Sequence, residues 1–142
     1  MVVATRLKIG EVARQTGVAV GALRYYESLG LLASKRGENG YRYYVPTAVQ
    51  QVQFIKKAQA LGFSLEDIGE VLNVHRQGDV PCDLVRSLLQ EKIEQLTVQI
   101  QEMQAFKRSL EQYRDRWETL DSRPEPEGIC PLVETVPLEA SR

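Results

Sequence analysis

Two cysteines and one histidine are the side chains of this sequence best suited to bind a soft metal ion. Cys82 and Cys130 are too few for a disulfide scaffold, and in a reducing compartment we expect free thiols or metal ligands. Thiolates select soft ions such as mercury, zinc, cadmium, lead or copper(I). Two alternatives stay open, because the thiols can be unreactive or can respond to oxidants. His75 is either a further ligand or an exposed loop residue.

The composition excludes several classes of protein. The chain has 142 residues, 43% of them hydrophobic and 26% charged, which suits one compact domain or a small domain with an appended element. No stretch is apolar for the length of a membrane span, and the first residues lack the pattern of a signal peptide, so we expect a cytoplasmic protein with no membrane partner. A single histidine, without acid and base groups at meaningful spacing, predicts no enzymatic activity.

The charges are unevenly distributed along the chain. Residues 1–78 carry ten Lys and Arg against six Asp and Glu, whereas the remaining residues hold eight basic and thirteen acidic side chains. A basic half joined to an acidic half is typical of a protein in which one end meets a polyanion such as DNA.

The basic half has the pattern of a winged helix-turn-helix. Apolar spacing predicts a helix over 8–15, a turn at Gly17, and a second helix from about 20 to 29, which would enter the major groove of DNA. Asn39-Gly40 predicts a hairpin behind these helices. In this wing, Arg36 and Arg42 are candidates to neutralise phosphates, and tyrosine hydroxyls can donate to phosphate oxygens.

Three further helices are predicted. The first opens at Pro46-Thr47 and closes at Gly62, and the second starts at a capping box over 64–67 and runs to about Val74. The third runs from Cys82 to about Trp117 without proline or glycine, and it would be roughly 54 Å long. Its apolar seam, which needs a second chain to cover it, comprises Leu89, Ile93, Leu96, Ile100 and Met103. The residues after this helix are predicted to form a loop with one short turn near 132–134.

Three segments resemble the signature of the MerR family of transcription regulators: 24–32 (RYYESLGLL), 36–44 around ENGYRYY, and 61–68 (LGFSLEDI). The resemblance implies a mostly helical fold with a winged helix-turn-helix domain over 1–78. It further implies a dimerisation helix over 79–120, which pairs as an antiparallel coiled coil, and an effector-binding loop and tail over 121–142. It also implies a homodimer that binds double-stranded promoter DNA. When an effector binds, this dimer would distort the DNA so that RNA polymerase can use the promoter.

Carried over position by position, the resemblance implies DNA contacts for five residues, with Tyr25 expected in the core instead. These are Arg24, Tyr26, Arg36, Tyr41 and Arg42.

The cysteines resemble those of the metal-responsive branch of this family. A cysteine at the position of Cys82 accompanies sensors of divalent ions, and Cys130-Pro131-Leu132 resembles the tail of the mercury sensors. In an antiparallel pair, Cys130 of one subunit would approach Cys82 of the other. Mercury(II) is the first choice of ion, although Trp117 stands where the mercury sensors have another cysteine. Zinc would need more ligands, drawn from His75, Glu118, Asp121 or water.

Overall fold

The computed structural model describes residues 6–120, 123 and 126–138. It is mostly helical, as predicted. The helices are α1 (Ile9–Thr16), α2 (Val20–Ser28), α3 (Thr47–Ala60), α4 (Leu65–Arg76), α5 (Cys82–Trp117) and α6 (Pro131–Glu134), and the strands are β1 (Lys35–Arg36) and β2 (Arg42–Tyr43). None of the helices in the described ranges is long and apolar enough to cross a membrane.

The predicted helix-turn-helix is formed by α1 and α2. Gly17 has a φ of 71°, a left-handed conformation that glycine adopts without steric cost, and its N–H donates to the Ala13 carbonyl at 2.8 Å to close α1. Val12 and Leu23 are fully buried and hold the two helices on the same core. The turn and the packing together fix the direction in which α2 leaves α1.

The predicted hairpin is a short antiparallel sheet extended by the N-terminal segment. Lys35 pairs with Tyr43 and Arg36 with Arg42, while Gly40 takes a φ of 81° in the turn, as the Asn39-Gly40 signal predicted. The N–H groups of Leu7 and Tyr44 each donate to the other residue's carbonyl at 2.8 Å. We use the name wing for residues 6–8 and 35–44, because the single bridge between Leu7 and Tyr44 joins the N-terminal segment to the two-stranded hairpin.

Helices α3 and α4 support α1 and α2, as expected. Val52, Ile55 and Ile68 are fully buried in one core with the residues of the helix-turn-helix. The predicted capping box starts α4: the Asp67 N–H donates to Ser64 Oγ at 3.0 Å, and the Ser64 N–H donates to Asp67 Oδ2 at 3.3 Å.

The predicted long helix is confirmed as α5, with 36 residues. The chain forms two compact units whose boundary lies within α5, between Glu94 and Gln95. The first unit extends past residue 78 because Leu88 is buried in its core and Leu84 and Val85 pack against it. The five seam residues named from the sequence are all exposed in the single chain.

Candidate nucleic-acid interface and metal ligands

The exposed face of α2 carries Arg24 and Tyr25. Tyr25 is 54% exposed, whereas Tyr26 is only 7% exposed and its hydroxyl donates to Gln59 Oε1 of α3 at 3.0 Å. The expectation that Tyr25 packs in the core is therefore wrong. Tyr26 shares a helix face with Leu23, three residues earlier, and that face packs inward. The DNA contact predicted for Tyr26 loses its support, since its ring and hydroxyl are engaged in the core.

The wing is joined to α2 through the carboxylate of Glu27. This carboxylate accepts hydrogen bonds from Ser34 Oγ and from the Tyr44 hydroxyl, the latter at 3.1 Å, and it forms an ion pair with Arg42 at 3.4 Å. Tyr44 is 1% exposed, and its burial raises the pKa of its phenol, which the negative charge of Glu27 raises further. Glu27 thus fixes the angle between the wing and the face of α2 that carries Arg24.

The predicted wing contacts lie on the surface. Arg36, Tyr41 and Arg42 are all exposed, and Tyr41 is 75% exposed beside the turn. The Asn39 side chain accepts the Tyr41 N–H at 3.2 Å, which orders the turn in front of that ring. Arg42 pairs with Glu27 in the free protein, so a DNA phosphate would have to compete with this carboxylate for the guanidinium.

Both cysteines are free thiols at positions that a ligand can reach. Cys82 is the exposed first residue of α5, and Cys130 is the half-buried residue that precedes α6. The segment after Cys130 returns to the end of α5, where the Trp117 indole N–H donates to Thr135 Oγ1 at 3.3 Å. Trp117, at the position where the resemblance to mercury sensors implies another cysteine, thus holds the tail by a hydrogen bond.

The other candidate ligands are dispersed. His75 is exposed at the end of α4 and lines a cavity of about 270 Å³ together with Phe54 and Pro81, the residue before Cys82. Glu118 is exposed after α5, and Asp121 lies outside the described residues. Within residues 6–120, 123 and 126–138 of one chain, no three His, Cys, Asp or Glu side chains come together as a metal site.

Comparison with known proteins agrees with this architecture. The family described as MerR HTH family regulatory protein matches residues 7–74, and that described as MerR, DNA binding matches residues 49–113. The HTH-type transcriptional regulator HmrR of Rhizobium leguminosarum bv. viciae is 33% identical over 128 residues, covering 90% of this chain and 95% of the relative. The chain belongs to the MerR family.

Two further proteins are similar to this MerR-family chain over more than nine tenths of its length. The mercuric resistance operon regulatory protein of Bacillus cereus is 34% identical over 134 residues, covering 92% of this chain and 97% of the relative. The crystal structure of the transcription regulator PbrR691 from Ralstonia metallidurans CH34 in complex with lead(II) has a TM-score of 0.74 at 28% identity, covering 91% of this chain and 98% of that one.

Sequence reasoning missed Glu27 as the residue that positions the wing of this MerR-family protein. Its partners lie seven to seventeen residues away in the chain, and no local periodicity links them. The only signal available was an acidic residue in a predicted DNA-binding helix that is otherwise free of acids.

We expect Glu27→Ala to destabilise the wing and Glu27→Gln to be milder. Alanine leaves the buried Tyr44 hydroxyl without its acceptor, a loss of about 1–3 kcal/mol, whereas the glutamine carbonyl can still accept hydrogen bonds. Chemical denaturation of both variants measures the difference. Equal free energies of unfolding for the two variants would show that the acceptor at this position does not matter.

Proposed function

We propose that this MerR-family chain is a homodimeric regulator that binds promoter DNA, senses a thiophilic metal ion through thiols of both subunits, and distorts the promoter so that RNA polymerase can use it. The observation that carries the proposal is the placement of two free thiols with respect to α5. Cys82 begins this helix, and Cys130 belongs to the tail that is bonded to Trp117 at its end. Antiparallel pairing would bring Cys82 of one subunit to Cys130 of the other.

The exposed seam of α5 supports the homodimer. Leu96, Ile100 and Met103 recur at the three- and four-residue steps of a coiled coil, and all three are exposed in the single chain. A contiguous apolar stripe of this kind marks an interaction surface. A second copy offers the same stripe, so one antiparallel pairing covers both.

The DNA-binding surface of the proposal consists of the exposed face of α2 and the wing. Arg24 and Tyr25 are the contacts we propose on α2, with Tyr25 in place of Tyr26 because its ring is the exposed one. Arg36, Tyr41 and Arg42 are the contacts proposed on the wing. The match of residues 7–74 to the family described as MerR HTH family regulatory protein supports this assignment, because it spans both α2 and the wing.

The donor chemistry fits a soft ion with few ligands. Two thiolates are sufficient for a linear mercury(II) or copper(I) site, and no third ligand is clustered with either thiol in the described part of one chain. The relatives differ in the ions that their names mention, mercury for one and lead(II) for another. Mercury(II) is our first choice, and zinc, cadmium, lead and copper(I) are the competitors.

Metal titration of the reduced dimer tests the proposal. We expect mercury(II) to bind at two ions per dimer with thiolate-to-metal absorption, because each dimer has two Cys82–Cys130 pairs. The same preparation should switch transcription from its promoter while still occupying the DNA. If none of the five metals binds but peroxide switches transcription, the protein senses oxidants instead.

A further inference from the structure

The wing has a second basic face that the sequence pattern did not single out. Side chains alternate along a strand, so the pairs Arg36–Arg42 and Leu7–Tyr44 project to the inner face, where Tyr44 is buried against α2. The pair Lys35–Tyr43 projects to the opposite, outer face. The wing contacts proposed above therefore divide between two faces, with both arginines on the inner one.

The N-terminal segment adds two cations to this outer face. Arg6 and Lys8 flank the inward-facing Leu7, so their side chains both project to the outer face. The antiparallel register of the Leu7–Tyr44 bridge, continued by one residue, places Lys8 opposite Tyr43. The Arg6 guanidinium stacks over the Tyr43 ring, 4.5 Å from its centroid. Tyr43 thus lies between Lys8 and Lys35, with Arg6 above it.

These cations are available to an external anion. Arg6, Lys8 and Lys35 are exposed, and no carboxylate of the described residues forms an ion pair with them. By contrast, Arg42 on the inner face is paired with Glu27. Two carboxylates lie near this face: that of Glu11 lines the cavity and accepts the Lys8 backbone N–H at 3.2 Å, and that of Glu38 is exposed in the turn of the wing. Neither forms an ion pair with a lysine or arginine of the described residues.

The outer face also has a concave shape. A cavity of about 610 Å³ lies between the N-terminal segment and the hairpin. Its lining includes Arg6, Lys8, Tyr41 and Tyr43 of the outer face, together with Leu7 and Arg42. Gly37 adjoins the stacked arginine, because a Cβ at this position would lie 3.4 Å from Arg6 Nη1. A planar guanidinium held on an aromatic ring beside a lysine suits the oxygens of a phosphate.

We propose that the wing lies between two phosphate strands of DNA. Arg36 and Arg42 contact one strand from the inner face, and Arg6, Lys8 and Lys35 contact the other strand from the outer face. The proposal rests on the DNA-binding function proposed above. It assigns the outer face to DNA because both faces belong to the same hairpin and its bridged N-terminal segment, and the exposed Tyr41 connects them.

The salt dependence of DNA binding tests the outer face. Each neutralised phosphate contributes about 0.9 to the slope of log affinity against log salt. Because each substitution is present in both subunits of the proposed dimer, Lys8→Gln/Lys35→Gln removes four phosphate contacts and should lower the slope by about 3.6, whereas Arg42→Ala removes two and should lower it by about 1.8. The control Arg86→Gln/Lys107→Gln changes the net charge equally on exposed positions of α5 and should leave the slope unchanged.

Uncharged methylphosphonate linkages in the DNA backbone identify the strand that each face of the wing contacts, because they remove the phosphate charge at chosen positions. The duplex is an operator selected by the parent protein from a random pool, and the methylphosphonates occupy twofold-related positions, so that in each half-site they lie either on the strand whose 5′ end points away from the dyad or on the opposite strand. Linkages on one strand should abolish the effect of Lys8→Gln/Lys35→Gln, and those on the opposite strand the effect of Arg42→Ala. If both effects disappear with the same strand, the wing does not lie between two strands.

The slopes also separate this inference from the proposed function. An unchanged slope for folded Lys8→Gln/Lys35→Gln, with a lowered slope for Arg42→Ala, would overturn the outer face and leave DNA binding through the inner face intact. No change for either variant would remove the wing from the DNA interface altogether. Reduced transcription with unchanged DNA binding would also overturn the inference, because the outer face would then contact a protein.

Discussion

Mixing Cys82→Ser subunits with Cys130→Ser subunits is expected to restore one metal site per dimer. Each homodimer of a single variant lacks one thiol at both sites and should bind no ion with two thiolates. In the mixed dimer, one interface keeps both Cys82 and Cys130, whereas the other keeps neither. Mercury titration of heterodimers isolated with two different affinity tags should therefore give one ion per dimer, against two for the parent protein.

The reciprocal mixture provides a matched control with the same number of cysteines. A parent subunit paired with a Cys82→Ser/Cys130→Ser subunit also contains two thiols, but each site between subunits then keeps only one of them. We expect this dimer to lose the two-thiolate absorption. A site within one chain would reverse the outcomes, with one ion for the reciprocal mixture and none for the first. DNA binding should persist throughout, because the proposed DNA contacts include neither cysteine.

Leu96→Glu is expected to convert the dimer into monomers or insoluble protein. Leu96 lies in the middle of the α5 seam, where it is 44% exposed in the single chain. In an antiparallel dimer the substitution would bury two carboxylates between the helices, and unpaired buried charges are strongly unfavourable. Sedimentation analysis measures the mass of the variant in solution.

Gln95→Glu adds the same charge one residue away, at an exposed position outside the seam, and serves as the control. We expect it to remain a dimer with the parent's sedimentation behaviour. A folded, soluble Leu96→Glu dimer would show that the seam is not the contact between subunits. Circular dichroism distinguishes a folded monomer from a chain that fails to fold.

Local patterns were sufficient to predict most of the fold. The capping box at Ser64, the Asn39-Gly40 turn and the uninterrupted run from Cys82 to Trp117 each depend on neighbouring residues, and each appears where it was expected. These signals act over a few residues because hydrogen bonds, turn dihedral angles and helix periodicity are themselves local.

Features that depend on contacts distant in the chain could not be predicted in this way. Tyr25 and Tyr26 are the same residue type at adjacent positions, and only the packing of α2 on α3 decides which ring is buried. The pairing of Leu7 with Tyr44 is a single bridge, too short to leave an alternating pattern in the sequence. The outer face of the wing was missed because that bridge determines which way Arg6 and Lys8 project.

The burial of Leu88 determines where this chain can be recombined with its relatives. The first turns of α5 complete the core of the helix-turn-helix unit, with Leu84 and Val85 beside Leu88. In a chimaera joined at Gly78, the side chains of a foreign helix would have to fill that core without matching it. In a fragment that ends at Gly78, the core would be exposed to water. A junction after Glu94 keeps the native core whole, so we expect a chimaera of this chain joined within α5 to be more stable than one joined at the loop that precedes the helix.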